Sequence, residues 1–180
     1  MSAGAISQHW YRRGQLFFRR PPEHICSWLF DASSLTARLV RYSDGDFRVE
    51  LLSEQVCRPT RDEAAILNIT GNRSALIRQV RLFCRGKAVV YARTVIPMRT
   101  LSGAQRSYGN LDVRPLGAML FSDRTMRRDE VMVTQLTPEN LLYEKTGAPG
   151  EAVWGRRSVF HVGGKPLLVS EYYLPALFTG

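Results

Sequence analysis

At 180 residues the chain has room for one domain with a hydrophobic core rather than two, and its 44% hydrophobic and 23% charged residues are the balance of a globular protein, not of a disordered tract. No run approaches the roughly 20 apolar residues of a membrane helix, and the N-terminus, MSAGAISQHWYRRGQLFFRRPPEH, has no apolar segment ending in a small-residue cleavage site, so a cytoplasmic protein without stable membrane insertion is expected. The net charge of +9 is carried almost wholly by arginine, Lys87, Lys145 and Lys165 being the only lysines, and arginine is the side chain suited to gripping carboxylates in a bidentate fork.

Residues 21–31, PPEHICSWLFD, open with prolines that suit a first helical turn and set Ile25, Trp28 and Leu29 on one face, which predicts a short helix. LTARLVRYSDGDFRVELLSEQV then reads as a hairpin turning at Asp44-Gly45, with Phe47, Val49 and Leu51 inward and Arg48 and Glu50 outward. TRDEAAILNIT, from Thr60, has a capping residue, early acids and an Ala/Leu body, the pattern of a helix. Residues 75–96, ALIRQVRLFCRGKAVVYARTVI, form a second hairpin with Arg85-Gly86-Lys87 at its tip. RTLSGAQRSYG and VRPLGAMLFSD read as short helices, RRDEVMVTQL as a strand, and TPENLLYEKTG as a helix closed by Gly147. WGRRSVFHVGGKPLLVSEYYLP, from Trp154 to Pro175, is a final hairpin turning at Gly163-Gly164. Hairpins with helices between them predict an α+β domain, a single antiparallel β-sheet of about six strands with helices packed on it. One domain over 1–180 is expected, with 1–20 as a candidate flexible, basic N-terminal extension.

Three charges fall in rows that alternation assigns to the interior. Arg78 shares a face with Leu76, Val80, Leu82 and Cys84; Arg93 shares one with Val89, Tyr91 and Val95; and Glu171 stands among Leu167, Val169 and Tyr173. Breaking a buried ion pair costs on the order of 3–5 kcal/mol, so such charges need partners. Glu171 either pairs with one of these arginines across the sheet, or the face is a closed pocket in which arginines fix a substrate's carboxylates and the glutamate handles a hydroxyl or a proton. Periodicity alone leaves both open. Other chemistries find little support. The basic residues are spread along the chain, from Arg12, Arg13, Arg19 and Arg20 through Arg38, Arg41, Arg48, Arg58 and Arg61, so no nucleic-acid partner is expected. Cys26, Cys57 and Cys84 read as buried free thiols, His9, His24 and His161 are scattered, and there is no G-x-G-x-x-G or Walker-type loop; no metal and no cofactor is expected.

Four segments together carry a family resemblance. WGRRSVFHVGGKPLLVSEYYLP, ARTVIPMRTLSG (92–103), RPLGAMLFSDRTMRRD (114–129) and SSLTARL (33–39) are similar, in order and mutual spacing from about Trp28 to Pro175, to the corresponding stretches of the chorismate lyase family, whose members split chorismate into 4-hydroxybenzoate and pyruvate. The resemblance implies a sheet enclosing a buried ligand pocket, a cofactor-free elimination on a small dianionic substrate, a hydroxybenzoate product and a monomer or dimer. Residue by residue, it implies that Arg78 holds a substrate carboxylate and Glu171 meets the ring hydroxyl, these two being the catalytic pair. Leu116 would offer its main chain, Leu35 would line the pocket, and Arg93 would be a supporting cation. One departure is EVMVTQLTPENLLYEKTGAPGEAV (130–153), which is longer than in the compact bacterial ubiquinone-pathway members. It is similar to the broader superfamily, which includes lyases that supply phenolic lipids and effector-binding domains of transcription regulators, and it would lie near the pocket mouth. The alternative function is therefore a non-catalytic small-anion sensor of the regulator type, against which the stretch ahead of the first matched segment is short for a helix-turn-helix. A third reading, an RNA-binding sheet, would need aromatics on an exposed face.

Overall fold

A computed structural model describes residues 8–17, 20–148 and 150–179; Arg19 lies outside them. Its strands, in chain order, are β1 (Tyr11–Arg12), β2 (Phe47–Cys57), β3 (Ala75–Cys84), β4 (Lys87–Pro97), β5 (Arg127–Arg128), β6 (Met132–Leu136), β7 (Val153–Val162) and β8 (Lys165–Tyr173). The helices are α1 (Glu23–Leu29), α2 (Leu35–Tyr42), α3 (Arg61–Ile66), α4 (Leu116–Ser122) and α5 (Tyr143–Thr146). All strands join one antiparallel sheet in the order β1-β6-β7-β8-β4-β3-β2, with β5 paired to β7. The eight strands exceed the expected six because β1 and β5 are two-residue pieces that no periodicity can reveal.

Two hairpins form the centre of the sheet, and their turns set which side chains share a face. Gly163 and Gly164, both at positive φ, join β7 to β8 so that Arg156 faces Glu171 and Ser158 faces Val169. Between β3 and β4 the turn is Arg85-Gly86, but a bulge shifts the register between Leu82 and Phe83, so Arg78 faces Thr94 and Gln79 faces Arg93. An unbroken ladder from that turn would have put Arg78 opposite Arg93. A second bulge, between Leu51 and Ser53 of β2, brings Glu54 opposite Arg78.

Both faces of the sheet are covered. On one, α1, α2 and α4 lie over β3, β4, β7 and β8, packing Trp28, Leu29, Leu35 and Leu39 on Val80 and Leu82, and Leu120 on Phe160 and Val169. On the other, α3 covers Ile77, Val95 and Leu168, while α5 brings Tyr143 against Tyr91, Leu136 and Tyr172. LTARLVRY is a helix and not the first arm of a hairpin: Ser34 Oγ accepts from the Ala37 N–H at 3.3 Å, and Leu35 and Leu39, four apart, bury one side. Asp44 and Gly45, at φ 54° and 90°, turn this helix into β2. Thr60 caps α3 as expected, and Glu63 completes a capping box with it. TPENLLYEKTG yields only the four-residue α5 before Gly147 closes it at φ 70°. Of the three thiols only Cys84 is buried, Cys26 and Cys57 being half-buried. Among the described residues no helix is long and apolar enough to cross a membrane.

Gly155, near the start of β7, is required by packing. A Cβ there would sit 2.5 Å from Cδ1 of Tyr172 and 3.1 Å from the Glu171 carbonyl oxygen. The ring of Tyr172, itself stacked on Tyr91 at 5.7 Å, occupies the space. Gly155→Ala is therefore expected to destabilise the protein by about 1–3 kcal/mol through overpacking. Thermal unfolding should register this as a fall in Tm of roughly 3–10 °C for a chain of this length.

Candidate active site

The register places the charges row by row on the face beneath α2 and α4. One row runs Glu54, Arg78, Thr94, Val169 and Ser158 across β2, β3, β4, β8 and β7; the next runs Leu51, Val80, Ala92, Glu171 and Arg156. Arg78 and Glu171 are thus two strands and one pleat apart, roughly 12 Å between backbones at standard spacings, with Ala92, Thr94 and Val169 as a floor of small side chains. They line one cavity, roofed by Leu35 and Thr36 of α2 and by Leu116, Gly117 and Leu120 of α4. The roof closes because Gly117 lets the helices touch: a Cβ on it would lie 2.5 Å from Thr36 Oγ1. The cavity is narrow, about 50 Å³, room for a few waters.

Its polar groups are held by named partners. Arg78, 2% exposed, donates from Nη1 to Glu54 at 3.2 Å and to the Asp112 carbonyl, and from Nη2 to the Arg114 carbonyl at 3.2 Å. Glu171 accepts from Nε of Arg156 at 2.6 Å. Arg156, also 2% exposed, uses Nη1 on the carbonyls of Trp28, Leu29 and Asp31, tying the end of α1 to the sheet. Burial works against its charge, but Glu171, Tyr173 and Asp31 outweigh that and hold its guanidinium above the ordinary range. Arg128, from β5, enters the same cavity and donates to Ser158 Oγ at 3.0 Å and the Asp31 carbonyl at 3.3 Å. Burial and then repulsion from Arg156 hold its guanidinium below the ordinary range.

Arg78, Glu171, Leu35 and Leu116 thus meet in one cavity, and Arg93 does not. The β3–β4 bulge turns Arg93 to the opposite face, where Nε and Nη2 grip Glu63 at 2.6 and 2.9 Å in a buried bidentate pair. Leu35 and Leu116 are the first residues of α2 and α4, and no side chain caps α4. The segment 130–153 is not at the mouth of this cavity: β6 pairs with the outer edge of β7, and α5 packs on the far face with Tyr91 and Tyr172. A larger cavity of about 240 Å³ lies on that far face, but its buried Arg157 is already paired with Asp62 and lies over the Trp10 ring. Arg156 and Arg128 are the site residues that sequence reading missed. Arg156 was within reach, since a two-residue turn at Gly163-Gly164 makes cross-strand positions sum to 327, which pairs 171 with 156. No pattern could have found Arg128 on a two-residue strand.

Fold and site together define an antiparallel α+β domain with an arginine-lined cavity between its sheet and its helices. The chain belongs to the chorismate lyase family, whose model matches residues 6–180. A protein of Methylococcus capsulatus named probable chorismate pyruvate-lyase is 39% identical over 155 residues, covering 85% of this chain and 96% of that relative. One of the same name from Thiobacillus denitrificans is 40% identical over 162 residues, 88% of this chain and 86% of the relative. Among solved structures, PhnF from Mycobacterium smegmatis superposes with a TM-score of 0.56 at 14% identity, over 75% of this chain and 64% of that one. A GntR-family transcriptional regulator from Bacillus cereus gives 0.55 at 10%, over 73% and 93%. These two share the fold.

Because Arg156 serves both Glu171 and the end of α1, Arg156→Met should cost about 3–5 kcal/mol, the penalty for breaking a buried pair, or roughly 6–20 °C in Tm. Glu171→Gln keeps an oxygen for Arg156 and should lose less than about half as much. Calorimetric unfolding of the two variants checks the order; equal losses would contradict it.

Proposed function

We propose that the protein is a chorismate pyruvate-lyase that cleaves chorismate to 4-hydroxybenzoate and pyruvate without a cofactor. The observation that carries this reading is the joint presence of buried Arg78 and half-buried Glu171 in one cavity, at opposite ends of a floor of small side chains. A flat ring with a carboxylate at one end and a hydroxyl at the other has matching chemistry. Membership of the chorismate lyase family and the names of relatives near 40% identity support it. Catalysis is favoured over the sensor alternative because the regulators match only at fold level.

In this reading Arg78, with the main-chain N–H of Leu116, receives the ring carboxylate, which takes the place of the Asp112 and Arg114 carbonyls on the guanidinium. The cavity is narrow as it stands, so the guest enters by parting α4 and the preceding loop from the sheet. Glu171, oriented by Arg156, accepts the hydrogen bond of the 4-hydroxyl and assists movement of the neighbouring proton. The C–H bond at the hydroxyl-bearing carbon breaks and its electron pair completes the aromatic ring. The adjacent ether bond breaks and its pair goes to the enolpyruvyl oxygen. The proton ends on the methylene carbon, giving pyruvate. Aromatisation drives the reaction, and the protein's work is to hold the side chain in the reactive pose and stabilise the developing negative charge.

Purified protein mixed with chorismate and no added cofactor should release 4-hydroxybenzoate and pyruvate in equal amounts. Glu171→Gln should lower kcat by roughly 10²–10⁴, and Arg78→Gln should weaken 4-hydroxybenzoate binding in calorimetry by roughly 10–100-fold. Unconsumed chorismate, or a Glu171→Gln variant as active as wild type, would count against the reading.

A further inference from the structure

The proposed substrate carries two carboxylates and its aromatic product keeps one, so a dry site needs a second cation for the substrate alone. Arg156 is committed to Glu171 and to the α1 carbonyls, and Arg78 lies at the far end of the floor. Arg128 is the remaining cation in the cavity. Among the described residues no carboxylate comes within ion-pairing distance of it; its partners are one hydroxyl, one carbonyl and the ring of Phe160. The nearby acids are engaged elsewhere: Asp31 with Arg38 at 2.8 Å, Asp129 with His161 at 3.1 Å, and Glu171 with Arg156. This half-buried guanidinium, near another arginine, is offset by a hydroxyl, a carbonyl and the Phe160 ring, 5.2 Å away, but by no carboxylate of its own. An anion placed between the two arginines would supply that negative charge.

We infer that Arg128 binds the carboxylate of the enolpyruvyl side chain and thereby distinguishes the dianionic substrate from the monoanionic product, an inference that rests on the function proposed above. The placement agrees with the substrate's connectivity. The enolpyruvyl ether is attached next to the hydroxyl-bearing carbon, and Arg128 donates to Ser158 of β7 and to the same Asp31 carbonyl that Arg156 holds, which sets it on the side of the Arg156–Glu171 pair, where that hydroxyl would be. The ether oxygen and the carboxylate hang from the same carbon, so charge developing on that oxygen as the bond breaks falls within the field of Arg128. Once the ring is aromatic, the leaving pyruvate takes this carboxylate with it, and nothing on 4-hydroxybenzoate calls for Arg128.

The test uses two stable ligands, 4-hydroxybenzoate and 3-(carboxymethoxy)-4-hydroxybenzoate, which differ by the second carboxylate, with wild type, Arg128→Gln and Arg128→Lys. Arg128→Gln should weaken the dicarboxylate by about 30-fold, as expected for loss of a charged hydrogen-bonding partner. Its Kd for 4-hydroxybenzoate should stay within about 3-fold. Chorismate kcat/KM should fall by a similar factor, and Arg128→Lys should recover part of it. Equal weakening of both ligands, or no weakening of either, overturns the inference. If Arg128→Gln does not fold, Arg128→Lys decides by the same ratio of the two affinities. A wild-type protein that leaves chorismate intact sinks the proposed function instead, whatever the ligand pair reports about Arg128.

Discussion

Arg156 and Glu171 face each other across β7 and β8 at 2.6 Å, and the cavity side of the molecule is organised around that contact. A carboxylate in the middle of an interior row could not stay charged there without such a partner. Arg156 supplies it, and its other nitrogen gathers three carbonyls at the end of α1, so the charge that steadies Glu171 also fastens a covering helix to the sheet. The arrangement is set by a turn: two glycines at positive φ fix the register that brings 156 to 171, and a slip of one residue would send Glu171 to the other face.

The two faces of the sheet treat their arginines differently, and function follows from the difference. On the far face Arg93 has buried Glu63 and Arg157 has the more exposed Asp62, pairs that tie α3 to the sheet. On the cavity face three arginines meet fewer carboxylates, and what Arg78 and Arg128 hold are largely carbonyl and hydroxyl oxygens that an anionic guest can replace. An excess of positive charge in a confined apolar setting favours anions strongly, because the low dielectric that makes unpaired cations costly also strengthens their attraction to a guest.

Much of this was legible in the residues, and what was not had local causes. The hairpins at Arg85-Gly86 and Gly163-Gly164 and the helices at 23–29 and 61–66 follow from turn glycines, prolines and a capping box that act within a few residues. Arg78 and Glu171 stood out because a charge breaks an apolar alternation. Arg93 stood out for the same reason, and alternation within one strand cannot tell which face of the sheet it reports. That depends on the bulge between β3 and β4, whose position nothing in KAVVYARTV announces. LTARLVRY reads as strand from its Asp-Gly turn alone, a turn that hairpins and helix ends share; Ser34 and the Leu35/Leu39 spacing decide for helix. Arg128 depends wholly on long-range pairing.

The most direct measurement is a crystal structure of the protein with 4-hydroxybenzoate. The carboxylate should lie on Arg78 and the main chain at Leu116, with the phenolic oxygen within hydrogen-bonding distance of Glu171. A product bound on the far face beside Arg93 and Arg157, or reversed with its carboxylate against Glu171, would contradict the claim that the two ends of this floor are what recognise the guest.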